Sequence, residues 1–195
     1  MIGTKEMATV DASFASHPEL KGQNCHTIHM GGGGAVMMES KKQTLIPTSS
    51  TDSELLSLGA LLLPDLLWAR NFMAELDYDQ RIAMPNGTPV GEDNTSTIRI
   101  LLNQMNGGKI KHLNLRIAHL REALANKDFQ LFHLDTKDMV SDLGTKALAP
   151  GIFKHLADYC LGQVTLEAFL PFLSKHYKAH CCYSPNIVNV DHPPC

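Results

Sequence analysis

The sequence predicts an α/β fold built on one mixed sheet. Three observations carry that prediction. Three short strand-like segments come first, later strand-like segments alternate with helical ones, and Gly-, Pro- and Asn-rich turns separate them. The order β-β-β-α-α-β-α-α-β-α then sets an antiparallel hairpin side beside a parallel side.

The elements follow in order. Residues 8–15 (ATVDASFA) read as the first strand, with Val10 and Phe14 among small residues and Asp11 inside it. A loop runs from His17 to Gly22. Residues 25–30 alternate weakly as a second strand that includes His26 and His29, and residues 35–39 form a third. The run Gly31–Gly34 between them lacks the Lys and Ser/Thr that a phosphate loop places after its last glycine, so it reads as a hairpin turn. The Ser/Thr-rich stretch 48–54 marks a helix start, with Thr51 and Glu54 spaced as a capping box. That helix spans about 52–63, Pro64 forces a kink or a break, and a second segment covers 65–76.

Pro85-Asn86-Gly87 is a turn before a short strand ending over 90–93. A helix over 95–103 follows. Residues 111–126 form an amphipathic helix with Leu113, Ile117, Leu120 and Leu124 on one face. Residues 129–134 are the last strand. Helices over 138–148 and 153–161 complete the domain, with Gly144 in the first of them costing about 1 kcal/mol relative to Ala. The expected division is a domain over 1–162 and a helical or partly disordered tail over 163–195.

Composition narrows the function classes. The chain has 195 residues, 44% apolar and 19% charged, which excludes wholesale disorder and a collagen-like chain. No 18-residue apolar run predicts a membrane span, and residues 1–10 contain no signal-peptide block. Four of the five cysteines, Cys160, Cys181, Cys182 and Cys195, crowd the C-terminal end, and Cys25 stands alone. This usage fits a reducing compartment, and the expected location is intracellular, cytoplasmic or nuclear. A net charge of −3 means that any nucleic-acid contact must come from a local basic patch.

Asp11 lies in the first strand, Glu54 in the first turn of the first helix, Asp93 at the end of the fourth strand, and Asp142 at the start of the helix after the last strand. Strand ends and helix starts at one edge of such a sheet are where sites gather. Four converging carboxylates repel one another unless hard divalent cations neutralise them. Two such ions about 4 Å apart can clamp the attacking and leaving oxygens of a phosphodiester. Spacing alone leaves solvated surface carboxylates as the competing reading.

Local motifs add to this. Asp11-Ala12-Ser13-Phe14-Ala15, Ser40-Lys41-Lys42-Gln43, Ser49-Ser50-Thr51-Asp52-Ser53-Glu54, Leu67-Trp68-Ala69-Arg70-Asn71-Phe72 and Asp93-Asn94-Thr95-Ser96-Thr97-Ile98 occur in that order. Lys111-His112-Leu113-Asn114-Leu115-Arg116 and Ser141-Asp142-Leu143-Gly144-Thr145-Lys146-Ala147-Leu148 follow. Together they resemble the ribonuclease H domain of copia-type retrotransposon Pol polyproteins, over roughly Val10 to Leu161. The resemblance implies a mixed five-stranded sheet of order 3-2-1-4-5 flanked by helices. It also implies that Asp11, Glu54, Asp93 and Asp142 are both catalytic and metal-ligating. They would hold two Mg2+ ions, with Mn2+ as a substitute, and hydrolyse the RNA strand of an RNA–DNA hybrid. The implied products are a 5′-phosphate and a 3′-hydroxyl, and the implied partner besides the hybrid is a polymerase domain encoded elsewhere. Departures from the family pattern include Asp52 for Glu, Leu55 for an aromatic residue, Asn114 for Asp and Gly144 within the last block.

The candidate nucleic-acid-contacting residues are Asn94, Ser96, Arg99, Lys109, Lys111, Arg116 and Arg121. The stretch from Arg99 to Arg121 contains no Asp or Glu, and its competing reading is a solvated helix face. Asn94 could meet a ribose 2′-hydroxyl or cap a helix. His112 and His119 read as structural or nucleic-acid-facing. The tail's His176, His180, Cys181, Cys182, His192 and Cys195 are metal-binding types whose spacing fits no zinc pattern well. Three functions therefore stand at this level: an RNA–DNA hybrid nuclease, a catalytically inactive remnant that keeps the fold and binds nucleic acid, and a DNA-directed nuclease of the same fold superfamily.

Overall fold

A computed structural model of the chain describes residues 6–30, 33–76, 84–103 and 113–169. Five strands form one sheet: β1 (Met7–Ser13), β2 (Gln23–His29), β3 (Ala35–Lys42), β4 (Thr88–Glu92) and β5 (Phe129–His133). Their order is β3-β2-β1-β4-β5, as the resemblance implied. β1 and β2, and β2 and β3, pair antiparallel; β1 and β4, and β4 and β5, pair parallel. The consecutive strands β2 and β3 pair antiparallel with a register shift at Ile28/His29, and Gly31 and Gly32 between them lie outside the described residues.

Strand alternation sends alternate residues to opposite faces, and each face has its own core. Ala8, Val10, Ile28, Val90, Phe129 and Leu131 join one cluster with the leucines of α1 (Ser50–Ser57) and α2 (Leu63–Glu75), and with Ile117 and Leu120 of α4 (Asn114–Ala125). Met7, Phe132 and Leu134 join the other, with Met139, Val140, Leu156, Tyr159 and Phe169. There α5 (Pro150–Cys160) lies over the sheet, and Phe169 of the short helix α6 (Leu166–Phe169) stacks on Tyr159 at 4.1 Å between ring centroids. The tail from residue 170 on, its histidines and cysteines included, lies outside the described residues.

Pro64 does not break the long helix. Leu58–Leu62 form a π turn, in which the Leu63 N–H bonds the carbonyl of Leu58. The wider turn absorbs the hydrogen bond that Pro64 cannot donate, and the helix runs continuously from Ser50 to Glu75. By length and composition alone this helix could cross a membrane; its apolar face is the main wall of the core.

Its N-terminus also differs from expectation. The cap is Ser49, whose hydroxyl accepts from the Asp52 N–H at 3.1 Å, while Asp52 accepts from the Thr48 N–H at 2.6 Å. Ser49 and Asp52 thus hold the helix start, with Asp52 reaching one residue past the cap to Thr48, and Glu54 is left out of the cap.

The largest correction falls on residues 138–148. They form no α-helix. Two 3₁₀ turns, Thr136–Asp138 and Val140–Gly144, occupy the stretch, and Pro150 opens α5 instead of ending a helix. Packing explains the change. A Cβ on Gly144 would stand 2.5 Å from the Cys25 sulfur and 3.0 Å from the Cβ of Ser40, so the chain lies directly on β2 and β3.

Buried polar bridges lock these parts together. The Gln43 amide donates to Asn24 Oδ1 at 2.6 Å and to the Ser53 hydroxyl at 2.8 Å, tying the end of β3 to β2 and to α1. Arg70 donates to the Thr88 hydroxyl at 2.8 Å, which donates to Glu6 at 2.9 Å. Gln43→Ala orphans the Asn24 carbonyl oxygen and should lower unfolding stability by about 1–3 kcal/mol, measured by urea denaturation followed by circular dichroism.

Candidate metal centre and nucleic-acid interface

The C-terminal end of β1 is where the candidate acids meet. Asp11, Asp93 and Asp142 have carboxylate oxygens within 4.8 Å of one another, and so do Glu54, Glu92 and Asp93. The four acids predicted from sequence are thus brought to one place, with Asp93 common to both groups. Glu92, the last residue of β4, joins them and was missed by the sequence reading. Its signal in the sequence was slight: an acid directly before Asp93, at the end of a short strand.

Each acid is held by the local fold. Asp11 lies inside β1, where strand geometry fixes its direction. Glu54 sits one turn into α1 and accepts a hydrogen bond from the backbone of Ala12. Asp93 follows the end of β4 and accepts from the Thr136 hydroxyl at 3.1 Å. Asp142 is carried by the second 3₁₀ turn, which is pinned to the sheet one residue earlier. There the Ser141 N–H and hydroxyl both bond the Thr9 hydroxyl, at 3.1 and 3.0 Å, and Thr9 in turn bonds Thr27 at 2.7 Å.

Lys146 completes the cluster. Its Nζ lies 2.8 Å from Asp142, 3.0 Å from Asp11 and 3.8 Å from Asp93. Thr145 adds a short hydrogen bond from its hydroxyl to the second oxygen of Asp11. The four-residue step from Asp142 to Lys146 was visible in the sequence, but the lysine's place among three carboxylates was not.

Burial and mutual repulsion dominate the electrostatics. Burial raises Glu54 well above the ordinary carboxylate range, and Glu92, Asp11 and Asp93 push it further. Glu92 is raised well above that range as well, mainly by burial. Burial and the charge of Asp11 push Asp142 up to about 7, against the opposing pull of Lys146. For Lys146, burial favours the neutral amine, but Asp11 and Asp142 outweigh it and hold the ammonium form.

The metal-ligand types that cluster here are all carboxylates, and one oxygen each of Glu54 and Glu92 is buried without a hydrogen-bond partner. Crowded carboxylates with unmet acceptor capacity fit hard divalent cations, which prefer oxygen ligands. Asp11, Asp93 and Asp142 could hold one ion, and Glu54, Glu92 and Asp93 another.

The candidate nucleic-acid contacts scatter more widely. Asn94 caps α3 (Thr95–Leu101), its Oδ1 accepting from the N–H groups of Ser96 at 3.0 Å and Thr97 at 3.3 Å. Ser96 stands half-buried in that first turn, and Arg99 is exposed further along. Arg116 lays its aliphatic stem over Gly59, where an added Cβ would stand 2.6 Å from its Cγ. Arg121 donates to the carbonyl of Ile100. Two of the arginines are therefore also engaged within the fold. Lys109 and Lys111 lie outside the described residues, as does His112, whereas His119 is exposed on α4.

Comparison with known proteins agrees with this architecture. The protein has the ribonuclease H fold. It aligns with the crystal structure of RNase H1 from the halophilic archaeon Halobacterium salinarum NRC-1 at a TM-score of 0.50 and 14% identity, covering 72% of this chain and 94% of that one. The crystal structure of LC11-RNase H1 in complex with RNA/DNA hybrid aligns at a TM-score of 0.51 and 14% identity, with the same coverage. In sequence, the chain is similar to the Retrovirus-related Pol polyprotein from transposon TNT 1-94 of Nicotiana tabacum, with 23% identity over 144 residues. That match covers 74% of this chain and a tenth of the polyprotein's length. No protein-family model matches. The resemblance to the ribonuclease H domain of copia-type Pol polyproteins thus has a counterpart in both fold and sequence.

The raised Asp142 sets a pH dependence. Its contribution to the stability of the metal-free protein is full below its unfolded value of 3.8 and is lost as the pH rises through about 7. Asp142→Asn keeps the neutral form at every pH. Its melting temperature in chelator should therefore gain on the parent protein between about pH 4 and pH 8, as followed by differential scanning calorimetry. Lys146→Met should have the opposite effect at pH 8, lowering the metal-free melting temperature by removing a cation that, among the described residues, pairs with Asp11, Asp93 and Asp142.

Proposed function

We propose that this protein is an endonuclease that hydrolyses the RNA strand of RNA–DNA hybrids with divalent cations of the magnesium class. The observation that carries the reading is the convergence of Asp11, Glu54, Asp93 and Asp142 at one end of a ribonuclease H sheet, with Glu92 beside them. The likeness to a retrotransposon Pol polyprotein, and to a ribonuclease H solved with an RNA/DNA hybrid, supports the same substrate.

In this reading the chain's own residues divide the work. Asp11, Asp93 and Asp142 form one cation cradle, and Glu54, Glu92 and Asp93 the other. Bound divalent ions supply Lewis acidity at the phosphate and a nucleophilic water near neutral pH. The rigid sheet end keeps the carboxylates in place, so little reorganisation is needed at the moment of reaction. Asn94 caps α3 through its Oδ1, and its amide nitrogen is the proposed contact to a ribose 2′-hydroxyl, which would distinguish RNA from DNA. Ser96 and Arg99 extend the surface along α3, and Lys109, Lys111, Arg116 and Arg121 are the further phosphate contacts proposed. A polymerase domain encoded elsewhere and an intracellular location are part of the same proposal.

A second reading, a non-catalytic remnant that still binds nucleic acid, is favoured by one observation. Lys146 already supplies a positive charge among three of the carboxylates. A bound cation must displace it, and a chain in which Lys146 holds its place would keep the fold without turnover.

The test is hydrolysis of a labelled RNA–DNA hybrid in magnesium, beside a DNA duplex and an Asp93→Asn variant. The expected outcome is cleavage of the RNA strand alone, with the rate reduced by roughly 100-fold or more in the variant, since Asp93 serves both cradles. A folded parent protein that binds the hybrid and leaves it intact would decide for the remnant.

A further inference from the structure

A second set of ligand-type side chains lies on the other face of the sheet. On β2, Cys25 pairs with Asp11 of β1, and the next residue, His26, turns to the opposite side, toward α2. Directly across from it on β3 is Glu39. Above both is Asp65, in the first turn of α2 just after Pro64. One ligand atom from each of the three falls within 4.8 Å of the others.

We propose that His26, Glu39 and Asp65 form a transition-metal site of the zinc class, separate from the carboxylate centre, that clips the β2–β3 edge to the long helix. His26 is fully buried, yet neither ring nitrogen makes a hydrogen bond. Its Nε2 lies 3.2 Å from Asp65 Oδ2 without hydrogen-bond geometry. That spacing matches two ligands on one tetrahedral zinc, which stand about 3.3 Å apart when each bond is about 2.0–2.2 Å. A buried imidazole with no donor or acceptor engaged is costly, and coordination removes the cost.

The surroundings suit such an ion. Burial lowers the His26 pKa, against the pull of Asp65 and Glu39, and so favours the neutral imidazole that a metal needs. Glu39 and Asp65 are each about one-third exposed, which gives an entry path from solvent and leaves room for a water as the fourth ligand. Lys41 Nζ lies 2.8 Å from Glu39 Oε1, but an exposed pair of this kind is weak and yields to a doubly charged ion. One imidazole nitrogen with two carboxylates is a donor set that favours zinc over magnesium, which wants an all-oxygen octahedron.

The site can be tested on the full chain, stripped with chelator and titrated with zinc in excess magnesium, by calorimetry and by melting temperature. Asp65→Asn and Glu39→Gln are the informative variants, since both residues are partly exposed and the fold can be checked by circular dichroism. Wild-type protein should take up one equivalent more zinc than Asp65→Asn and melt several degrees higher when saturated. Glu39→Gln should bind at least tenfold more weakly, and Asp93→Asn should bind as wild type does. Cobalt in place of zinc should give tetrahedral visible bands that vanish in Asp65→Asn. Equal zinc uptake and affinity in wild type and Asp65→Asn would overturn the site. So would visible bands that persist in Asp65→Asn with a thiolate charge-transfer band, which would assign the metal to cysteines. Loss of binding in Asp93→Asn but not in Asp65→Asn would also overturn it, by assigning the metal to the carboxylate centre. None of these outcomes depends on whether the protein cleaves a hybrid.

Discussion

Everything at the functional end of this molecule depends on crowding negative charge where water is scarce. Asp11, Asp142, Glu54 and Glu92 are nearly or fully buried, and Asp93 stands between the two groups they form. Unneutralised charge in such a place is expensive, and the fold answers in two ways. Glu54, Glu92 and Asp142 are shifted toward their protonated forms, and Lys146 reaches in with a compensating ammonium. A centre held in that balance is primed for a stronger cation, because an incoming divalent ion replaces protons and a lysine rather than entering a neutral site.

The supporting structure is built to hold that balance still. β1 lies at the middle of the sheet, with Asp11 paired to Cys25 of β2 and with Ala8 and Thr9, just before it, paired to β4. The Thr9–Thr27–Ser141 hydroxyl chain fastens the Asp142 turn to the same strand two residues away. Gln43 fastens α1, and with it Glu54, to the edge hairpin. The 3₁₀ geometry of Val140–Gly144 matters for the same reason. A tight turn lying flat on β2 and β3 lets both Asp142 and Lys146 reach Asp11.

The likeness to solved ribonuclease H structures at 14% identity shows how little of the chemistry the fold alone dictates. What the sheet topology provides is a geometry, with the central parallel pair ending beside the first turn of α1. Which side chains occupy that end, and what neutralises them, is decided by the residues and not by the topology. The same applies across the sheet, where His26, Glu39 and Asp65 bring an imidazole and two carboxylates together on a face otherwise devoted to the core.

Much was legible in the sequence because it is written locally. Strand and helix periods, the hairpin glycines and the amphipathic stripe of α4 depend on near neighbours. So did the positions of Asp11, Glu54, Asp93 and Asp142, through motifs a few residues long. The rest hangs on contacts between distant segments. Residues 138–148 have helical composition, but the chain at Gly144 lies directly against Cys25 and Ser40, more than 100 residues earlier, and takes 3₁₀ turns there. Glu92 and Lys146 enter the centre only because β4 ends beside β1 and the turn after β5 folds back over them both. Arg121 turns to the carbonyl of Ile100 because α3 and α4 pack together, which no helical wheel of α4 predicts. The sequence by itself determined which elements form and which acids are available. The tertiary structure alone decided which charges share one buried space, because desolvation and repulsion act through distance in space and not along the chain.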